Sequence, residues 1–148
     1  MTTITEEFVE REIEELKNRQ DVNSVAVVGG YATDPTGEHD RLEFYVVIDG
    51  DWRKRVSDKI DGVVVETFYN SLEWSKTYLE KEDWWKKYKW YVNADVRYDE
   101  DDTFEKLKEK AEDVKEDRLD LSKKELQEIS YSIWDMKQEI DSRDVSQK

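Results

Sequence analysis

Three short runs of β-branched and aromatic residues, each bounded by a glycine-containing turn, constrain this chain more than any other feature of it. Ser24-Val25-Ala26-Val27-Val28 stops at Gly29-Gly30. Arg41-Leu42-Glu43-Phe44-Tyr45-Val46-Val47-Ile48 stops at Asp49-Gly50, and Val63-Val64-Val65-Glu66-Thr67-Phe68-Tyr69 starts after Asp61-Gly62. Short apolar runs closed by turn residues read as strands, not helices. In the second run Leu42, Phe44, Val46 and Ile48 fall on one face, with Glu43, Tyr45 and Val47 on the other.

Around these strands the spacing turns helical. Phe8, Val9, Ile13 and Leu16 recur on one side of an amphipathic helix between Thr3 and Arg19. A short polar helix is expected over Trp52 to Lys59 and another helix, carrying Trp74, Trp84 and Trp85, over Leu72 to Tyr88. Ala94 to Tyr98 reads as a fourth strand, and Thr103 as the cap of a helix over Phe104 to Glu116. After Ser122, a second N-cap with Glu125 beyond it, Leu126, Ile129, Ile133, Met136 and Ile140 alternate at spacings of three and four. The expected class is α+β: a domain over residues 1–118 and a C-terminal amphipathic helix over 119–148. That helix would serve packing, a homodimer, or the start of a helical domain.

Composition removes several functions. With 38 acidic against 24 basic residues the chain carries a net charge of −14, which repels extended nucleic acid and anionic membrane surfaces. No apolar stretch approaches the ~20 residues of a membrane span. The acidic N-terminus, with Glu6, Glu7 and Glu10, does not resemble a secretory signal, so a cytoplasmic protein is expected. Cysteine is absent and His39 is the single histidine, so any metal would be held mainly by oxygen, which suits magnesium, manganese or calcium. His39 reads as a loop residue, and Asp99 to Asp102 as a solvated turn. Lys81 to Tyr91 interleaves Lys86, Lys87 and Lys89 with Trp84, Trp85, Tyr88, Trp90 and Tyr91. It reads either as a surface for stacking bases and gripping phosphate or as the end of an amphipathic helix.

One constellation has a chemical logic. A Gly-Gly after a strand, here Gly29-Gly30, lets backbone N–H groups approach a phosphate, although a plain turn needs the same residues. Glu43 and Glu66 stand on separate strands, where carboxylates can converge on one face and share a hard divalent ion. Glu66 lies within an apolar run, so it needs a cation, an arginine partner such as Arg41, or an open cleft.

The order Val28-Gly29-Gly30, a spacer from Tyr31 to Asp40, Arg41-Leu42-Glu43-Phe44 and then Val65-Glu66-Thr67 resembles the DNA polymerase β-like nucleotidyltransferases. The likeness is greatest to their minimal and aminoglycoside-nucleotidyltransferase-like members, and it covers roughly residues 1–116. It implies a small mixed sheet flanked by helices. It also implies Glu43 and Glu66 as catalytic metal ligands, Glu66 as base, and Gly29 and Gly30 holding a nucleoside triphosphate with magnesium or manganese. The implied reaction is transfer of a nucleotidyl group to a hydroxyl of a small-molecule or protein acceptor. One position departs from the pattern. Arg41 stands where the family has the first acid of its strand pair, and Asp40, the remaining candidate third ligand, is displaced by one residue and faces the other way unless a bulge turns it back. Arg41 could instead bind a phosphate directly, which leaves open a catalytically inactive, antitoxin-like binding or interaction module.

Overall fold

The computed structural model describes residues 3–81, 84 and 87–146. Helix α1 (Glu6–Lys17) starts where the Thr5 hydroxyl accepts the Phe8 N–H at 3.2 Å, and it buries Phe8, Val9 and Ile13. Strand β1 (Val22–Val28) is buried along its whole length and runs directly into a one-turn helix α2 (Gly29–Thr33). The chain continues through β2 (Arg41–Ile48), β3 (Lys54–Ile60), β4 (Val63–Ser71), α3 (Leu72–Glu80), α4 (Tyr88–Val92) and β5 (Asp95–Asp99). A 3₁₀ turn (Glu100–Asp102) leads into α5 (Thr103–Ser146).

The strands form one five-stranded sheet in the order β3-β4-β2-β1-β5. Only β2 and β4 are parallel to each other; the remaining neighbours are antiparallel, so the sheet is mixed and the class is α+β. One face carries Leu42, Phe44, Val46 and Ile48 from β2 together with Val25, Val27 and Val65, and α1 seals it with Phe8, Val9 and Ile13. The opposite face is covered over only part of its area. There Tyr45 packs edge-on against Tyr91 of α4 and Phe104 of α5, and its hydroxyl bonds Ser75 of α3 at 2.6 Å and Tyr91 at 2.9 Å. Two residues back along β2, Glu43 is half-buried.

Several expectations need correction. Residues 52–59 are not helical: β3 forms a hairpin with β4, Ile60 pairing Val63 across Asp61 and Gly62, both at positive φ (49° and 83°). That geometry is the tight turn whose twist matches antiparallel strands. The helix expected over 72–88 ends at Glu80, where Lys81 takes an extended backbone, and a separate turn of helix forms at Tyr88–Val92. Glu82, Asp83, Trp85 and Lys86 of the Lys81–Tyr91 segment lie outside the described residues. Thr103 does not cap α5; the Asp99 carboxylate does, accepting the N–H groups of Phe104 at 2.8 Å and Glu105 at 3.1 Å. Ser122 starts no helix, because α5 runs through it without a Gly or Pro to interrupt it.

The chain divides into compact units over 1–113 and 114–148. In the second, Leu126, Ile133, Met136 and Ile140 of the expected stripe are exposed, as are Tyr131 and Trp134. No helix among the described residues is long and apolar enough to cross a membrane.

Candidate functional site

The parallel pairing of β2 with β4 sets Glu43 directly beside Glu66 in register. Adjacent strands lie about 4.8 Å apart, and side chains of register partners point to the same face. The two acids are therefore neighbours on the sheet face that also carries Tyr45. Arg41, two residues before Glu43, shares this face. From the other side, β3 pairs Ser57 with Glu66 and Arg55 with Phe68, which brings the Arg55 side chain diagonally onto Glu66.

Glu66 is held by both arginines. Its Oε2 accepts a hydrogen bond from an Arg55 Nη at 2.9 Å, and its Oε1 lies 3.6 Å from an Arg41 Nη. The Glu66 side chain is only 6% exposed, whereas Arg41 and Arg55 are 51% and 62% exposed. The carboxylate is thus sunk in the sheet while the guanidinium heads reach it from the rim. Arg55 also lies over the Phe68 ring at 5.1 Å. Glu43 has a different environment. Burial pushes its carboxyl above the ordinary carboxylate range, the neighbouring Glu66 charge adds to this, and Arg41 and Arg55 act against it.

The two glycines are filled by the chain itself. Gly29 has φ of +75°, and a Cβ placed on it would meet Glu43 Oε2 at 1.7 Å, so the Glu43 carboxylate lies directly on the Gly29 α-carbon. A Cβ on Gly30 would meet His39 Nδ1 at 3.1 Å. His39 is a loop residue, as expected; its Nε2 is 2.6 Å from the Asp34 carbonyl, and its ring stands edge-on to Tyr31. The absent Cβ atoms therefore make room for a carboxylate and an imidazole.

Asp40 does not join the other acids. It is a bend residue immediately before β2, and the β2–β4 register runs from Arg41 to Ile48 without the bulge that would turn Asp40 round. Among the described residues no group of three or more His, Cys, Asp or Glu side chains gathers as a metal site. A divalent ion would have to be held by Glu43 and Glu66 alone, with the second already neutralised by two guanidiniums. This donor set does not fit the paired ions of nucleotidyl transfer, which need a bridging carboxylate and no competing cation.

Beside the acid pair, on the same face, lies a cleft of about 330 Å³ between the β3–β4 hairpin and helices α3 and α4. Arg55 belongs to both the cleft and the acid pair. Sequence reasoning misses Arg55 because it falls inside the expected 52–59 helix. The signal that could have found it is Asp61-Gly62 between two β-capable runs, which fixes a two-residue hairpin and with it the partners of every β3 residue.

No protein-family model and no curated protein matches the chain. Among solved structures, a nucleotidyltransferase-like protein from Exiguobacterium sibiricum superposes with a TM-score of 0.56 at 10% sequence identity. The match covers 70% of this chain but 37% of that one, so the chain spans little more than a third of its length. The mixed five-stranded sheet flanked by helices is a nucleotidyltransferase-like fold.

Proposed function

We propose that this chain binds a phosphate-bearing nucleotide on the nucleotidyltransferase-like sheet face without transferring the nucleotidyl group. One observation carries the reading: Glu66 sits between Arg41 and Arg55. In a metal-dependent transferase that acid serves a divalent cation; here two guanidiniums supply the positive charge, and Glu66 acts as their resident counter-ion. Guanidinium forks match phosphate oxygens as well as they match carboxylates, so an incoming phosphate competes with Glu66 for the exposed Arg41 and Arg55 heads. Binding then needs no magnesium. The in-register placement of Glu43 and Glu66 supports a second reading, metal-dependent transfer, which makes the opposite prediction for the same variant.

The test is thermal stabilisation by ATP in EDTA and in magnesium, comparing the wild type with Glu66→Gln, alongside a pyrophosphate-release assay. The expected outcome is a rise in Tm that persists in EDTA, strengthens in Glu66→Gln because the competing carboxylate is gone, and comes with no pyrophosphate. Stabilisation that needs magnesium and disappears in Glu66→Gln would restore the transferase. No stabilisation under any condition would remove nucleotide binding altogether.

A further inference from the structure

The cleft beside the acid pair is built unlike the rest of this acidic surface. Its floor is Phe68 and Asn70 of β4, its walls are Tyr78 of α3 and Trp90 of α4, and its rim is Arg53 and Lys87, with Arg55 at the end nearest Glu66. No Asp or Glu lines it among the described residues, in a chain whose net charge is −14. The aromatic walls are ordered against one another and against the cations. Phe68 and Trp90 have ring centroids 4.8 Å apart, and the Lys87 ammonium lies over the Trp90 ring at 4.7 Å and the Tyr78 ring at 5.7 Å. Arg53 lies over Trp74 at 4.1 Å and donates to the Tyr78 hydroxyl at 2.9 Å, while that hydroxyl donates to Asn70 Oδ1 at 3.2 Å.

Two features of this arrangement call for a ligand. Arg53 and Lys87 form no ion pair with any described residue; they rest on neutral rings. Phe68, Tyr78 and Trp90 each keep part of their surface open to the cleft. A volume of this size is at the lower end of the range for small-molecule sites, and half-open rings beneath Arg53 and Lys87 suit a planar group bearing an anion.

The geometry points to a binding site for an aromatic anion of nucleoside-monophosphate size. Its ring lies along Trp90 and Phe68, its polar edge meets Asn70 and Tyr78, and its anionic group is held by Arg53 and Lys87. This goes beyond the clamp reading and does not rest on it: the anion here is held by Arg53 and Lys87, and not by the Arg41 and Arg55 of the clamp.

The experiment is calorimetric titration in EDTA with AMP, adenosine and ribose 5-phosphate, on the wild type, Lys87→Glu, Arg53→Glu and Arg41→Ala. All three variants change exposed or half-exposed side chains, and unchanged far-UV circular dichroism and melting curves establish that each folds. AMP should bind at least tenfold more tightly than either fragment, because each fragment lacks the ring or the anion. Lys87→Glu and Arg53→Glu should each weaken AMP by about tenfold or more, the cost of removing a charge-assisted hydrogen bond, while Arg41→Ala reports separately on the clamp. If AMP and ribose 5-phosphate bind equally, and Arg41→Ala but not Lys87→Glu abolishes both, the cleft proposal fails while the clamp reading survives. If AMP is lost in both Lys87→Glu and Arg53→Glu, the cleft stands, whatever Arg41→Ala does. Absence of AMP binding to the wild type overturns the cleft outright.

Discussion

Replacing Gly29 by alanine tests whether the Glu43 carboxylate rests on the glycine. Two separate costs arise. An L-residue at φ of +75° brings its Cβ against the backbone carbonyl, worth about 1–2 kcal/mol. The new methyl also overlaps Glu43 Oε2, 1.7 Å away, and forces the carboxyl to move; overpacking of this kind costs about 1–3 kcal/mol. Because the atom struck is the end of a flexible side chain, the lower half of that range applies. Gly29→Ala should therefore destabilise by roughly 2–4 kcal/mol. In a Glu43→Ala background the second cost vanishes and the backbone cost alone remains. The difference, about 1–2 kcal/mol of coupling, is within reach of a double-mutant cycle. Urea unfolding of the four proteins measures it. If Gly29→Ala costs the same with and without Glu43, the carboxylate does not lie on the glycine, and the Gly-Gly turn needs another reason for its missing side chains.

The remaining predictions concern the acids and the tyrosine network. The raised carboxyl of Glu43 means that the folded chain holds that proton more tightly than the unfolded chain does. Its contribution to stability is therefore present below the ordinary value of 4.5 and lost as pH rises through the folded value. Glu43→Gln should unfold at higher urea than the wild type at pH 7, with the gap closing toward pH 4; a gap that widens on acidification would contradict this. Arg41→Ala combined with Arg55→Ala leaves the buried Glu66 without a cation and should destabilise by about 3–5 kcal/mol, more than the sum of the single changes, since either guanidinium alone still serves the carboxylate. Strict additivity in chemical denaturation would show that the two do not share Glu66. Tyr45→Phe removes the hydroxyl that joins Ser75 to Tyr91, leaves the buried Tyr91 hydroxyl short of a partner, and should lower stability by about 1–3 kcal/mol, read from the urea midpoint.

The parts of the fold that are legible in the sequence are those where hydrophobic pattern and turn chemistry agree. β1, β2 and β4 are apolar runs closed by glycine turns, and α1 has a clean amphipathic stripe behind Thr5. β3 is not legible. Lys54-Arg55-Val56-Ser57-Asp58-Lys59-Ile60 has two apolar residues, four apart, which is a helical spacing; its strand conformation comes from pairing with β4 and not from its own composition. The site follows the same division. Glu43 and Glu66 can be picked out because both lie in legible strands. The partner that decides their chemistry, Arg55, lies in the illegible one. Asp99 likewise reads as part of a solvated turn, because its role as a cap depends on a left-handed bend at Asp101 and Asp102 that no local pattern announces.

The clamp is asymmetric in where its members are rooted. Glu66 stands on an interior strand with hydrogen-bonded neighbours on both sides, while Arg55 arrives on the outermost strand of the sheet, tied on one side only. Margins of sheets open more readily than their centres. The Arg55 part of the positive charge is therefore rooted where the sheet is tied least, while Arg41, on β2, is rooted in its interior. A protein that had set an ion at the same spot would depend on supply from solution; this one carries its counter-charge on its own chain, always present and never diluted.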